Sequence, residues 1–312
     1  MDPTLQPQVK IIDRLRANAA GGVHVSFEFF PPKTPEGEEK LKQHLISFSR
    51  EQPVFVDFTW GAGGGTAQKT PELCLLAKQI GFVVNMHLTC TNMDMGKVDE
   101  ALIFCLNHGI RNIVALRGDP PAGEQWRKSE EGFACALDLV KYIRRHYGSY
   151  FCLAVAGYPE GHPDKIASGV PATGSVMTAE LDYLKAKVDA GADYIITQLF
   201  YDTGLFLRFV EQCKQHGIHV PILPGILPPL AYGGLQRMVS LCKTHIPNGL
   251  RDKVEALKDA GDEKFREFGI ELSTQMSREL LAHGVKHLHF YTLNQTHSTL
   301  GVLRNLNMLK HE

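Results

Sequence analysis

Residues 24–34 read HVSFEFFPPKT, and the rest of the chain is organised around this stretch. Val25, Phe27 and Phe29 alternate with polar residues, which is the period of a β-strand. Two prolines follow directly, and they end the strand because proline lacks the backbone donor that a strand ladder needs. The stretch therefore predicts a first strand that ends just before Pro31 and Pro32.

Glu28 lies near the carboxyl end of this strand, flanked by three phenylalanines. We expect these neighbours to desolvate its carboxyl group in part, which favours the uncharged form. Glu28 is therefore a candidate proton donor. The alternative is a strand-end glutamate that is solvated or bound in a salt bridge.

Beyond this stretch the chain alternates apolar runs with amphipathic segments. We predict seven further strands, each followed by a helix, and two extra helices within 247–283. The further strands are predicted at 54–60, 83–90, 112–118, 151–157, 194–200, 222–227 and 287–293. Near-continuous apolar strands are typical of parallel sheets covered on both faces. Eight β/α units in this length predict an α/β fold, a TIM (β/α)8 barrel with extra helices before the last strand, in a single domain over 1–312.

A doubly wound open sheet is the main alternative fold. Such a sheet usually shows a G-x-G-x-x-G fingerprint after its first strand, where this chain has FFPPKT. The GAGGG at 61–65 follows the second strand instead, so it indicates a phosphate cradle only weakly.

The composition excludes several classes of protein. Hydrophobic residues make up 44% and charged residues 21%, and the net charge of −1 offers no field for nucleic acid or an anionic membrane. No apolar run reaches the roughly 18 residues of a membrane span, and the N-terminus lacks the layout of a signal peptide. Seven scattered cysteines without a C-x-x-C pair indicate a reducing compartment, so we expect a cytoplasmic protein. His87 and His162 lie on different units and no H-x-x-x-H helix is present, so we predict no metal site.

Polar residues follow the carboxyl ends of seven predicted strands, where the chemistry of a TIM barrel is found. They are Glu28, Thr59, Trp60, His87, Thr89, Arg117, Gly118, Asp119, Tyr158, His162, Thr197, Gln198, Tyr291, Thr292 and Asn294. Each also has a structural alternative: His87 as a hydrogen-bonded core residue, Arg117 and Asp119 as a simple ion pair, and the tyrosines as rim aromatics. Their shared position at one end of the barrel favours a binding site.

Eight stretches spread over the chain resemble the 5,10-methylenetetrahydrofolate reductase family. They are SFEFFPPKT (26–34), DFTWGAG (57–63), MHLTCTNM (86–93), IVALRGDPP (113–121), AGYPEGHP (156–163), KVDAGADYIITQLFYD (187–202), PGILP (224–228) and HFYTLN (289–294). The resemblance implies a TIM-barrel flavoprotein that uses FAD. It implies a ping-pong relay in which NAD(P)H reduces the flavin and the flavin then reduces methylenetetrahydrofolate to 5-methyltetrahydrofolate.

The resemblance also implies roles for individual residues. Glu28 matches the general acid that opens the folate ring, and Asp119 matches an aspartate near the flavin and the pterin. The implied FAD contacts are Thr59, Trp60, His87, Arg117, Gly118, Asp119, Ala136, Tyr158, His162, Glu180 and Lys187. The implied substrate contacts are Glu28, Phe30, Lys33, Asp119, Gln198, Tyr291 and Gln295, with Phe30 and Lys33 on the side of the nicotinamide donor.

The chain departs from the family pattern at three places. Glu180 stands where aspartate is common, Gln295 stands where arginine is common, and the loop over 163–178 is longer than usual.

The resemblance covers the catalytic barrel and includes no part of the regulatory domain of many eukaryotic members. The preference between NADH and NADPH and a homo-oligomeric state are left open. A different flavin-barrel oxidoreductase and a non-catalytic flavin- or folate-binding subunit are the alternative functions.

Overall fold

The computed structural model describes residues 6–19, 21–61, 68–120, 126 and 130–310. Most of the GAGGG stretch, at 62–65, lies outside these residues, so its predicted role is not addressed. Within the described residues, nine parallel strands form one sheet in the order β7-β6-β5-β4-β3-β2-β1-β9-β8. The strands are β1 (His24–Phe29), β2 (Val56–Phe58), β3 (Val84–Thr89), β4 (Asn112–Leu116), β5 (Cys152–Gly157), β6 (Tyr194–Thr197), β7 (Ile222–Leu223), β8 (Gly225–Ile226) and β9 (His287–Tyr291).

Closure of the sheet depends on one interrupted strand. β7 and β8 are the two halves of the predicted strand at 222–227, separated by Pro224, which cannot donate to a ladder. β7 pairs with β6, whereas β8 pairs with β9. Because β9 also pairs with β1, the chain closes the ring at this break. The prediction of a TIM barrel is confirmed.

All but the first of the helices surround the barrel on its outer face. They are α1 (Ile11–Asn18), α2 (Pro35–Ser49), α3 (Lys69–Ile80), α4 (Met95–Asn107), α5 (Ala136–Tyr147), α6 (Gly174–Asp189), α7 (Thr203–Gln215), α8 (Tyr232–Cys242), α9 (Asn248–Ala256), α10 (Asp262–Ala282) and α11 (Thr296–Asn305). The two extra helices before the last strand are α9 and α10, as predicted. Within the described residues, no helix is both long and apolar enough to cross a bilayer.

Helix ends follow local side-chain chemistry. Thr34 caps α2 by accepting a hydrogen bond from the Gly37 amide, and Pro35 occupies the first turn, where its missing donor costs nothing. Helix α5 begins at Ala136, four residues after Gly132, which forms an antiparallel bridge with Asp94. Helix α6 begins at Gly174.

Helix α1 was not predicted from the sequence. Ile11 and Ile12 join the cluster that fills the barrel interior, together with Phe55 and Tyr194. Asn112, at the start of β4, accepts a hydrogen bond from the Ile11 amide at 2.8 Å. The helix thus packs on the amino-terminal end of the barrel, opposite the end where parallel strands carry functional side chains.

Candidate active site

A cavity opens at the carboxyl ends of the barrel strands, where the sequence placed its polar residues. It is lined by predicted site residues from seven strands, namely Glu28, Thr59, Trp60, His87, Arg117, Gly118, Asp119, Tyr158, His162, Gln198 and Tyr291. The strand ends, which are far apart in sequence, therefore meet around one space.

Two grooves continue from this cavity and contain most of the remaining predicted residues. One is lined by Arg117, Ala136, Glu180 and Lys187, among others. The other contains Phe30 beside residues of the central cavity. Lys33 and Gln295 are exposed and line none of these spaces, so the fold leaves these two predicted contacts outside the cavity.

Glu28 is held in place through its backbone. The Glu28 carbonyl accepts hydrogen bonds from the Thr292 amide at 3.2 Å and the Thr292 hydroxyl at 2.7 Å. Two residues further along both segments, Asn294 pairs with both backbone groups of Phe30. These contacts join the ends of β1 and β9, and they fix where the Glu28 side chain enters the cavity.

The surroundings of Glu28 differ from the expectation of an apolar pocket. Phe27 and Phe29 pack outward, against Phe48 of α2, because neighbouring side chains of a strand point to opposite faces. Glu28 points inward, and its Oε2 lies 3.5 Å from Nε2 of His87 and 3.5 Å from Nε2 of His289. The carboxyl group is enclosed by polar side chains, and the expectation that phenylalanines surround it was wrong.

Asp57 is the second carboxyl group of this enclosure, and the sequence analysis did not select it. It pairs in register with Glu28 on the neighbouring strand and is fully buried. Its Oδ2 lies 3.3 Å from Nε2 of His87 and 3.9 Å from Nε2 of His289. Burial raises the pKa of Asp57, against the opposing influence of the two histidines.

The pKa of His87 depends on two opposing effects, burial and the neighbouring carboxylates. Burial by itself would lower the pKa of this imidazole, but the carboxylates of Glu28 and Asp57 outweigh that effect and raise the pKa. The residue is thus hydrogen-bonded as a core histidine would be, and it also lines the cavity.

Two further polar residues, Ser26 and His287, continue the network below Glu28. The Ser26 hydroxyl lies 2.7 Å from Nδ1 of His289 and 2.8 Å from Nε2 of His287. Burial, followed by the neighbouring histidines, lowers the pKa of His287 well below its ordinary value. The signal that could have found these residues is the alternation HLHFY in the last strand, in which polar residues at every second position share the barrel interior.

Glu28, Asp57 and His289 bring donor atoms within 4.8 Å of one another. This grouping was not predicted from the sequence, where His87 and His162 were the candidate ligands. A cation would fit the spacing, but two of the three side chains already have hydrogen-bonding partners, since Asp57 contacts His87 and His289 contacts Ser26. We therefore treat the group as a hydrogen-bonded network and assign no metal.

The groove lined by Arg117 and Lys187 is rich in cationic groups. Arg117 forms an ion pair with Asp164 at 2.9 Å and stacks over Trp126; it does not pair with Asp119, the alternative considered from the sequence. Lys187 is almost fully buried, donates to the Ala156 carbonyl at 2.7 Å, and has a pKa lowered by burial to about 8.

Gly118 explains why the β4 exit tolerates no side chain. Its φ is +85°, and a Cβ there would lie 2.7 Å from Cβ of Thr89. Glycine alone meets both conditions without strain. The backbone after Arg117 can therefore pass close to β3, which brings Asp119 to the cavity wall.

A family model described as methylenetetrahydrofolate reductase matches residues 12–307. The chain belongs to the methylenetetrahydrofolate reductase family. The resemblance carried by the eight sequence stretches is confirmed.

Several relatives bear the family name. Methylenetetrahydrofolate reductase (NADH) 1 of Arabidopsis thaliana is 48% identical over 96% of this chain and 51% of its own length. The 5,10-methylenetetrahydrofolate reductase of Pectobacterium carotovorum subsp. carotovorum is 33% identical over 96% of both chains. A probable methylenetetrahydrofolate reductase (NADPH) of Caenorhabditis elegans is 35% identical over 92% of this chain. The chain spans about half the length of the plant relatives it matches.

Among solved structures, the family barrel is similar to that of an uncharacterized protein from Clostridium thermocellum. The TM-score is 0.62 at 15% identity, and the match covers 96% of this chain and 99% of that one. That protein is described as binding two copies of 5-methyl-5,6,7,8-tetrahydrofolic acid. At this identity the likeness concerns the fold alone.

Proposed function

We propose that this chain catalyses the reduction of 5,10-methylenetetrahydrofolate to 5-methyltetrahydrofolate by NAD(P)H, with FAD as the bound cofactor. The observation that carries the proposal is the inward-facing Glu28 carboxyl group at the end of β1, in a cavity shared with Asp119, Gln198 and Tyr291. Membership of the methylenetetrahydrofolate reductase family supports the same reaction.

The residues of the cavity and its cationic groove fit a dinucleotide flavin. Arg117, His162 and Lys187 supply cationic or donor groups along the groove, which suits a diphosphate. Trp60 Nε1 and Thr89 Oγ1 line the cavity or its wall and are buried without a hydrogen-bond partner among the described residues, so a polar ligand has groups to bind. When bound, FAD would accept a hydride from the nicotinamide and deliver it to the folate in a separate step.

Glu28 would act as the general acid. Opening the five-membered ring of the folate releases an amine, and protonation of that nitrogen makes it a better leaving group. The carboxyl group reaches the cavity from a strand end fixed by Thr292, and its other side faces His87 and His289. A proton at Oε1 or Oε2 is thus presented to the ligand by a side chain with little freedom to turn away.

Asp119 and Gln198 would orient the pterin. The side-chain carbonyl of Gln198 accepts a hydrogen bond from the Leu199 amide at 2.9 Å. Because this bond uses the oxygen, the NH2 group of Gln198 would serve as the hydrogen-bond donor to the ligand. Asp119 adds an acceptor that lines the same cavity. Tyr291 donates its hydroxyl to the Thr197 carbonyl at 2.6 Å, so its ring, held edge-on to His289, offers a packing surface.

The experiment that tests this proposal separates two half-reactions of Glu28→Gln under anaerobic conditions. Stopped-flow absorbance would follow bleaching of the flavin by NADH or NADPH, and then reoxidation by methylenetetrahydrofolate. We expect bleaching to keep its normal rate and reoxidation to fall by at least about 100-fold, in the range of a lost general acid.

The wild-type protein is the control for the whole proposal. Failure of methylenetetrahydrofolate to reoxidise its reduced flavin would favour a different flavin-dependent barrel oxidoreductase, and absence of any turnover would favour a non-catalytic binding subunit. If Glu28→Gln retains both half-reactions, the family activity stands and the role given to Glu28 is wrong.

A further inference from the structure

We propose that His289 is a positioning residue for Glu28, and that Ser26 sets which of its ring nitrogens carries the proton. The inference rests on the proposed function, since it concerns the acid of the folate half-reaction. It follows from the arrangement of three side chains on the barrel interior, below the cavity that a ligand would occupy.

His289 is fully buried, and its two nitrogens have different neighbours. Nδ1 lies 2.7 Å from the Ser26 hydroxyl. Nε2 makes no hydrogen bond among the described residues, and it points at Oε2 of Glu28 at 3.5 Å and Oδ2 of Asp57 at 3.9 Å. A buried polar atom without a hydrogen-bond partner costs free energy of folding. The position of Nε2 beside Glu28 therefore requires an explanation.

Ser26 supplies the constraint. Its hydroxyl lies between two imidazoles, Nδ1 of His289 and Nε2 of His287, yet it has only one hydrogen to donate. If both rings are neutral, the hydroxyl donates to one ring and accepts from the other. The three residues therefore have two self-consistent arrangements.

The two arrangements match the two protonation states of Glu28. When His289 carries its proton on Nδ1 and donates to Ser26, its Nε2 lone pair faces Glu28 and can accept from the protonated carboxyl group. When Ser26 donates to Nδ1, the proton sits on Nε2 and can be donated to the Glu28 carboxylate. In both cases Nε2 of His289 offers Oε2 of Glu28 the complementary group, an acceptor or a donor, because the tautomer of a histidine depends on the bond its other nitrogen makes.

Other groups also face Glu28. They are Asp57 from β2, His87 from β3, and Tyr291 from the same strand as His289. His289 differs from them because it has no hydrogen bond of its own on the side that faces the carboxyl group, and because Ser26 fixes its opposite edge. It is therefore the group best placed to hold the Glu28 carboxyl in a single orientation in both protonation states.

The test compares His289→Gln with His289→Asn. The Gln amide reaches about as far as Nε2 and can still face Glu28, whereas the Asn amide reaches about as far as Nδ1 and keeps only the Ser26 side. We expect His289→Asn to slow folate-dependent reoxidation by roughly 10- to 100-fold, the range of one hydrogen bond to a charged group, and His289→Gln to recover much of that loss. Flavin bleaching by NADH should stay within about twofold of wild type in both variants.

A pH profile adds a measurement that a merely structural role would not change. Loss of a donor to the carboxylate disfavours the charged form, so the limb of the folate half-reaction that reports Glu28 should move to higher pH in His289→Asn and in Ser26→Ala. Ser273→Ala removes another fully buried serine, on α10 and away from the cavity, and should leave the profile unchanged.

Three outcomes would overturn the inference while the wild-type reaction stands. The first is equal loss in the Gln and Asn variants with an unmoved pH limb, which means that His289 only packs the core. The second is equal slowing of both half-reactions. The third is loss of wild-type activity on chelation that a divalent cation restores, which would assign the Glu28–Asp57–His289 group to a metal. A wild-type protein that cannot reduce the folate would instead refute the proposed function.

Discussion

The clearest physical prediction concerns Glu160 in the loop between β5 and α6. Its side chain is almost fully buried, Oε2 accepts a hydrogen bond from the His245 amide at 2.7 Å, and Oε1 has no partner among the described residues. The same loop is joined to the segment after α8, where Gly169 donates to the Lys243 carbonyl and Lys243 donates to that of Ile166. The carboxyl group thus links the loop after β5, which is longer than usual for the family, to the segment after α8.

Burial raises the pKa of Glu160 from 4.5 to about 7, against the His245 amide, which favours the charged form. The folded protein therefore holds this proton more tightly than the unfolded chain does. Its contribution is most favourable below about pH 4.5, and it is lost as the pH rises towards 7. A displacement of about 2.5 pKa units corresponds to at most about 3 kcal/mol of free energy of unfolding.

Glu160→Gln removes this titration while keeping an oxygen that can accept from His245. We expect the free energy of unfolding of the wild type, relative to Glu160→Gln, to fall by up to about 3 kcal/mol between pH 5 and pH 8. Urea unfolding followed by circular dichroism at several pH values measures the difference, and groups common to both proteins cancel.

The matched control is Glu100→Gln, which changes an exposed carboxyl group on α4. Its stability should run parallel to that of the wild type across the same pH range. If Glu160→Gln also runs parallel to the wild type, the Glu160 carboxyl group is not the buried proton-binding group described above, and the reasoning fails.

Two further predictions concern Gly225, which packs against Tyr291, and Lys187, which lines the cationic groove. Gly225→Ala would place a Cβ 2.3 Å from the Thr197 carbonyl oxygen and 2.5 Å from the Tyr291 ring, so we expect thermal or urea unfolding to show a loss of about 3 kcal/mol or more; an unchanged midpoint would contradict the packing described at β8. Lys187→Met removes an ammonium group whose depressed pKa of about 8 costs stability at neutral pH, about 3 kcal/mol at most, set against about 1 kcal/mol for the hydrogen bond to Ala156. We expect a gain of up to about 2 kcal/mol at pH 7 that decreases between about pH 8 and the ordinary lysine pKa of 10.5, together with roughly 10- to 100-fold weaker binding of the proposed flavin by fluorescence titration; tighter binding or lower stability at pH 7 would refute this assignment.

The repeating pattern of the chain was enough to predict the barrel. Apolar strands alternate with amphipathic helices, and this local periodicity is a property of consecutive residues. The same holds for the polar residues at strand ends, because parallel strands must present their carboxyl ends on one side. Glu28, Asp119 and Gln198 were therefore predictable as neighbours without any knowledge of the strand registers.

Helix α1 and the break at Pro224 were harder to predict. Eight residues before the first strand carry no signal that distinguishes a surface helix from one that covers the barrel end. The short β7 and β8 pair with different partners, and only closure of the ring decides which partner each takes.

The sequence by itself determined that Glu28 sits at the end of a strand, at the mouth of a parallel barrel. Only the tertiary structure decided what surrounds it. The phenylalanines beside Glu28 in sequence turn to the helix layer, and the groups that enclose it, Asp57, His87 and His289, come from three other strands. The physical reason is the two-residue period of a strand, which sends sequence neighbours to opposite faces and leaves the register between strands to choose the true neighbours of a buried charge.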